Sequence, residues 1–228
     1  PGDLDLYAIM EQNANPGPGD NWGSHLDMLH QSPQCMGIAH DTANAYWVFD
    51  GFNDHLVWYD FRVPHGFGED DHSDGLVRRY TEVELSRVRN VPGHMEVDTD
   101  GYLFIADTGA GEILKVDTMS GEVSSSLPLV NEPLDEFSEV TGVDFEVFAS
   151  GMTEPSGLAI HDGVLYVSDH ATGEILAFDL ADGSELGRVS VPDGPGIMGL
   201  TVSPDGQLWY VDGENELLVQ VIPGVVPD

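Results

Sequence analysis

The 228-residue chain is long enough for one ordinary domain with a sizeable core, and at 41% hydrophobic residues it is not a disordered polymer. Asp and Glu total 41 against 7 Lys and Arg, a formal charge of −34. Such a surface repels phosphate backbones and anionic lipid, which excludes nucleic acid and membranes as expected partners and leaves a small-molecule or cationic ligand.

A plainer reason for the charge is solubility in salty water, where screening relieves self-repulsion. Cys35 is the one cysteine, so no intramolecular disulfide can form. No apolar run approaches the roughly 20 residues of a membrane-spanning helix. There is no Asn-x-Ser/Thr sequon, and Pro1 reads as a trimmed, mature start. Together with the acidity, this sets the expectation of an extracellular or periplasmic monomer.

In chain order, Leu4–Met10 reads as a strand with no unit of its own. A long leading segment follows and carries His25, His30 and Cys35. Four similar units then begin near residues 36, 93, 156 and 198. Their first strands start Met36-Gly-Ile-Ala-His, Gly93-His-Met-Glu-Val, Ser156-Gly-Leu-Ala-Ile and Met198-Gly-Leu-Thr-Val. Each second strand is apolar and ends in an aspartate: Asp50, Asp107, Asp169 or Asp212. Third strands open at His55, Glu112, Glu174 and Glu216. Asp100-Gly101, Asp162-Gly163 and Asp205-Gly206 fall between first and second strands, and Asp-Gly between apolar runs is a hairpin signal because Gly tolerates positive φ.

Fourth strands are expected at 76–80 and 186–191. For the second unit, 123–129 and 145–148 both fit, with an insertion over 131–142. The last unit lacks a fourth strand, and Leu4–Met10 would complete it and close the ring. The expected fold is thus all-β: one small β-propeller domain over 1–228, with four blades. Five is the alternative if residues 11–35 or 122–150 hide a further blade.

Over residues 33–223 this pattern resembles the NHL-repeat family of β-propellers. The resemblance implies the fold and says little about activity, because propellers host many functions. Val91–Gly101 is also similar to a first strand of the peptidyl-α-hydroxyglycine α-amidating lyases, NHL-type propellers in which channel histidines hold zinc. Only His94 carries over, since the other units have Gly37, Gly157 and Gly199 at that place.

In a propeller, the segment leading into strand one and the loop between strands two and three share a face. That face gathers His25, His30, His94 and His170, with His55 a further member. His40, His65, His72 and His161 belong to the other. Three imidazoles match the ligand count of a transition-metal site with an open position, so His30, His94 and His170 are the first-choice ligands for copper, zinc or iron. Each also has a plainer reading, as a packing change or an exposed loop residue.

The second choice is the loop with His65, Asp70, Asp71, His72 and Asp74, which could hold a transition metal or calcium. Cys35, Met36 and Met198 lie near the first rim and read as core. Glu96 is the one first-strand acid that a calcium-dependent hydrolase site could use. The recurring blade-end aspartates read as acceptors for their own loops. No phosphate loop, dinucleotide fingerprint, nucleophile elbow or His-Glu-x-x-His occurs. The function expected is a metal-binding secreted propeller, or else a non-catalytic ligand- or protein-binding module with at most structural calcium.

Overall fold

A computed structural model describes residues 31–63, 72–129, 133–192 and 194–222. It is all-β: among the described residues there are strands and turns and no α-helix. The first blade is the meander β1 (Cys35–His40), β2 (Ala45–Asp50), β3 (His55–Asp60) and β4 (Leu76–Glu84). β5 (Met95–Val97), β6 (Tyr102–Asp107) and β7 (Glu112–Asp117) begin the second.

The chain then leaves that blade. β8 (Glu122–Ser126) and β9 (Glu136–Thr141) form a hairpin, and β9 pairs in parallel with β4 of the first blade. β10 (Phe145–Ser150) returns to β7 and completes the second blade. β11 (Pro155–His161), β12 (Val164–Asp169), β13 (Glu174–Asp179) and β14 (Glu185–Ser190) make the third. β15 (Ile197–Val202), β16 (Leu208–Asp212) and β17 (Leu217–Val221) make a three-stranded fourth.

The four sheets therefore start where the four repeats do. Of the two fourth strands weighed for the second unit, the one near 145–148 is correct. The five-blade alternative over 122–150 is corrected: β8 and β9 widen the first blade's sheet to six strands, and β10 belongs to the second blade. Its attachment has a physical cause in β4. Arg78 pairs with Glu136 through Nε–Oε1 at 2.8 Å and Nη2–Oε2 at 3.2 Å. Thr81 Oγ1 donates to Glu139 at 2.8 Å, and Glu82 accepts from the Gly142 N–H at 2.7 Å. Leu4–Met10 and residues 11–30 lie outside the described residues, and with them the expected ring closure.

The hairpin signals act as expected. Asp162 and Gly163 both have positive φ (48° and 78°), the paired left-handed geometry of a type I′ turn. Sheets pack face to face over apolar clusters. Trp47, Phe49, Leu56, Met95, Leu103 and Ile105 fill the first interface. Phe104, Ile113, Leu158, Leu165, Leu176 and Phe178 fill the second. Ile175, Ile197, Leu200 and Tyr210 fill the third. Each fully buried side chain of this size contributes about 1.5–3 kcal/mol before conformational entropy is subtracted. The far face of the first blade is covered by Leu134 and Phe137 from the β9 region, which pack on Val57, Tyr59 and Val77. The fourth blade leaves Val211 and Leu218 46% and 68% exposed.

Candidate functional site

One hydrogen bond recurs in every blade and defines a common face. The segment leading into strand one offers a carbonyl to the loop after strand two: Gln34 to Gly51 (3.1 Å), Ser86 to Gly109 (3.1 Å), Glu154 to His170 (2.8 Å) and Gly196 to Gly213 (2.9 Å). The buried blade-end aspartates hold the same loops. Asp50 accepts from the backbone of Phe52 and Asn53, Asp107 from Ser86 and Ala110, and Asp212 from Glu214 and Asn215. Asp169 takes four N–H groups, from Thr153, Glu154, Ala171 and Thr172. These carboxylates are spent on loop geometry. Asp98 does the same in its hairpin turn, accepting from Asp100 and Tyr102.

The register shows where His94 stands. Gly37 faces Phe49, one residue before Asp50, and Gly199 faces Val211, one before Asp212. The Ala106 N–H, one before Asp107, donates to His94 O at 2.9 Å. Gly157 N–H donates to Ser168 Oγ, one before Asp169. His94, Gly37, Gly157 and Gly199 are therefore equivalent.

Glycine is needed there because the inner strands nearly touch. A Cβ on Gly37 would lie 2.0 Å from Gly93 O, and one on Gly157 would lie 2.6 Å from Leu200 N. The single imidazole fits by reaching across to β15, where its Cε1 lies 2.9 Å from the place a Gly199 Cβ would take. Burial pushes the His94 imidazole below its ordinary pKa, so it is neutral at neutral pH.

His170 approaches the same strand. Its Nδ1 lies 3.3 Å from Ile197 O. A carbonyl only accepts, so Nδ1 carries the proton and Nε2 keeps a lone pair. Ser156 links the two histidines: its carbonyl accepts from His94 N–H (2.9 Å), and its hydroxyl donates to the same Ile197 carbonyl (2.8 Å). Two of the three first-choice ligands thus converge on the start of β15. His30, the third, lies outside the described residues.

His170 has a sequence signal that the repeat comparison missed. Met36 and Met198 fold over Gly51 and Gly213, so that a Cβ there would meet their Cγ atoms at 2.4 and 2.6 Å. In the third blade the pair is reversed, with small Ser156 opposite His170. The large residue of the pair thus stands on the strand in the first and fourth blades and on the loop in the third, while the second blade has Gly93 and Thr108. The two methionines are packing residues, as expected. Cys35 is exposed, with Sγ 3.4 Å from Gly37 O.

The second-choice site fares differently. His65, Asp70 and Asp71 lie outside the described residues. His72 is buried, edge-on to Phe61 with ring centroids 5.9 Å apart, and its carbonyl accepts from Gly75 N–H. Asp74 accepts from Val63 N–H. Glu96 binds the Ile160 N–H at 2.9 Å, so it ties β5 to β11, and burial raises its pKa. Among the described residues, no three His, Cys, Asp or Glu side chains are grouped to hold a metal. Between the first and second blades, on the face of His94, a cavity of about 500 Å³ is lined by Asp54, His55, Glu84, Asp107 and Glu112. Burial, and then Asp107, push the Glu112 carboxyl above its usual range.

No protein-family signature matches the sequence, and no curated protein matches it. Solved structures do. A streptogramin B lyase structure superposes with a TM-score of 0.54 at 13% identity, covering 83% of this chain and 51% of that one. The fold is β-propeller-like. The chain spans about half the length of that lyase chain. A glutaminyl cyclase of Myxococcus xanthus gives 0.45 at 16% identity over 82% of this chain and 71% of that one. The computationally designed Ika8 protein gives 0.46 at 11% over 82% and 46%.

Proposed function

We propose that this chain is an exported propeller of NHL type that binds one transition-metal ion, copper, zinc or iron, through His94 and His170, with His30 as third ligand. The observation that carries the reading is the convergence of the two imidazoles on β15 through Ser156 and Ile197 O. The donor chemistry fits. Metal-binding histidines commonly donate their other ring N–H to a backbone carbonyl, which fixes the tautomer, and His170 Nδ1 does so. His94 is kept neutral by burial, as a ligand must be. A metal with an open position would supply Lewis-acid or redox chemistry at the mouth of the inner strands. The one histidine among four equivalent first-strand positions does not favour an amidating-lyase site.

Elemental analysis after dialysis without chelator tests this. About one equivalent of copper, zinc or iron is expected, falling several-fold in His94→Ala with the β-sheet spectrum retained. Calcium alone, or unchanged metal in the variant, would reject it.

The acidic cavity favours a second reading: a non-catalytic module that takes a cationic ligand between the first two blades, with at most structural calcium. Binding of a lysine- or arginine-bearing probe should then weaken with salt and with Glu84→Gln. Insensitivity to both would reject that reading.

A further inference from the structure

The blades stack in series, and in each of the first three one sheet face is buried against the next blade. Ala39, Trp47, Phe49 and Leu56 of the first pack on the second. Phe104, Ala106 and Ile113 of the second pack on the third. Ala159, Tyr166 and Ile175 of the third pack on the fourth. In the fourth blade the register puts Thr201, Trp209, Val211, Leu218 and Gln220 on the equivalent face. Val211 and Leu218 are open to solvent there, and among the described residues no apolar cluster continues from that face.

A closed ring would seat this face on Val48, Val57, Tyr59 and Val77 of the first blade. Those residues are already buried under the chain's own Leu134 and Phe137. The stack therefore has one capped end and one open end. The open face also carries no charge: none of its five side chains is Asp, Glu, Lys or Arg, in a chain with 41 acids. A cationic partner finds no counter-charge on it, whereas an equally neutral apolar face suits it.

We propose that the open face of the fourth blade docks on the same face of a second copy, giving a two-fold dimer. Such an isologous contact closes on itself, and the capped first blade leaves nothing for a third copy to join. Sheet faces with apolar outward residues stack about 10 Å apart, the packing of a β-sandwich. The chain covers 51% of a solved propeller-like chain, so two copies match one such chain in length. A face of three short strands is at the low end of specific interfaces, so a dissociation constant of about 10–100 µM is expected at high salt. The monomer expected from the acidity then prevails at low salt and low concentration.

Sedimentation velocity on the full-length chain tests this, from about 5 to 500 µM protein in about 0.1 and 1 M NaCl. The parent should pass from monomer to dimer as its concentration rises. At the higher salt the transition should come at about tenfold lower concentration, because the charges of the two copies are screened. Leu218→Asp should stay monomeric at every concentration with its β-sheet spectrum unchanged. Met119→Asp, 87% exposed on the turn before β8, should dimerise like the parent. If Leu218→Asp does not fold, Leu218→Ser decides, and should raise the dissociation constant about tenfold. A parent that stays monomeric throughout would overturn the proposal. So would a dimer that the Leu218 substitution leaves intact, a dimer that salt weakens, or growth beyond two copies.

Discussion

The contact between His94 and Gly199 can be measured as a free energy. Replacing Gly199 by Ala would put Cβ 2.9 Å from Cε1 and 3.3 Å from Nε2 of the imidazole, where ordinary contacts run 3.4–4 Å. The ring must shift by several tenths of an ångström in a packed interior, an overpacking cost of about 1–3 kcal/mol. His94→Ala alone should cost about 1–2 kcal/mol through lost packing. In the double variant the added methyl meets empty space, so its own cost should vanish. The double-mutant cycle should therefore show a coupling of about 1–3 kcal/mol. Urea unfolding followed by tryptophan fluorescence reads it, with chelator present so that no metal contributes; Trp209 sits on β16, which pairs with β15. Gly157→Ala is the control. Its Cβ would press on Leu200 N at 2.6 Å, which is backbone, so His94→Ala should give no relief. Effects that add within about 0.5 kcal/mol for Gly199 and His94 would refute the placement of the ring.

Three further outcomes are expected. Asp169→Ala should destabilise by about 1–3 kcal/mol in urea unfolding, because it removes the acceptor of four part-buried N–H groups; a change below about 1 kcal/mol would mean the loop re-forms without the carboxylate. Glu136 should contribute a pH-dependent term. The Arg78 guanidinium holds its carboxyl below the usual range, so its stabilisation is full above an unfolded value of about 4.3 and is lost as pH falls through the lower folded value. With both side chains part-exposed, Glu136→Gln should cost about 0.5–1 kcal/mol at pH 7 and progressively less as pH falls through that window, and a constant difference would contradict the linkage. Finally, raising NaCl from 0.1 to 1 M shortens the screening length from about 10 to 3 Å and should raise the urea midpoint of a chain of charge −34; an unchanged midpoint would show that self-repulsion is negligible.

The fold was legible because each blade is local. An apolar strand, a turn, a second strand and its capping aspartate lie within about twenty residues; the strands and the aspartate recur in all four units, and the turn is Asp-Gly in three. The β8–β9 hairpin was not legible as part of the first blade. β8, Glu122–Ser126, is polar and short, and its neighbour β9 pairs in parallel with a strand sixty residues earlier, which no local pattern encodes. The equivalence of His94 with three glycines could be read by aligning strands. Its reach to Gly199 could not, since the separation of the inner strands is set by packing. The burial of His72 was not legible either, because acids surround it in sequence and the ring packed edge-on against it, Phe61, stands eleven positions earlier.

The detour between β7 and β10 also bears on how the chain can assemble during synthesis. The six-stranded sheet of the first blade gains its last strands only after residue 141 has emerged, and the second blade gains its outer strand only after residue 150. Neither can mature as an independent module, so the two form one cooperative unit in which local opening of either exposes both. The third blade, by contrast, is built from the continuous stretch Pro155–Ser190 and can form as soon as it is made.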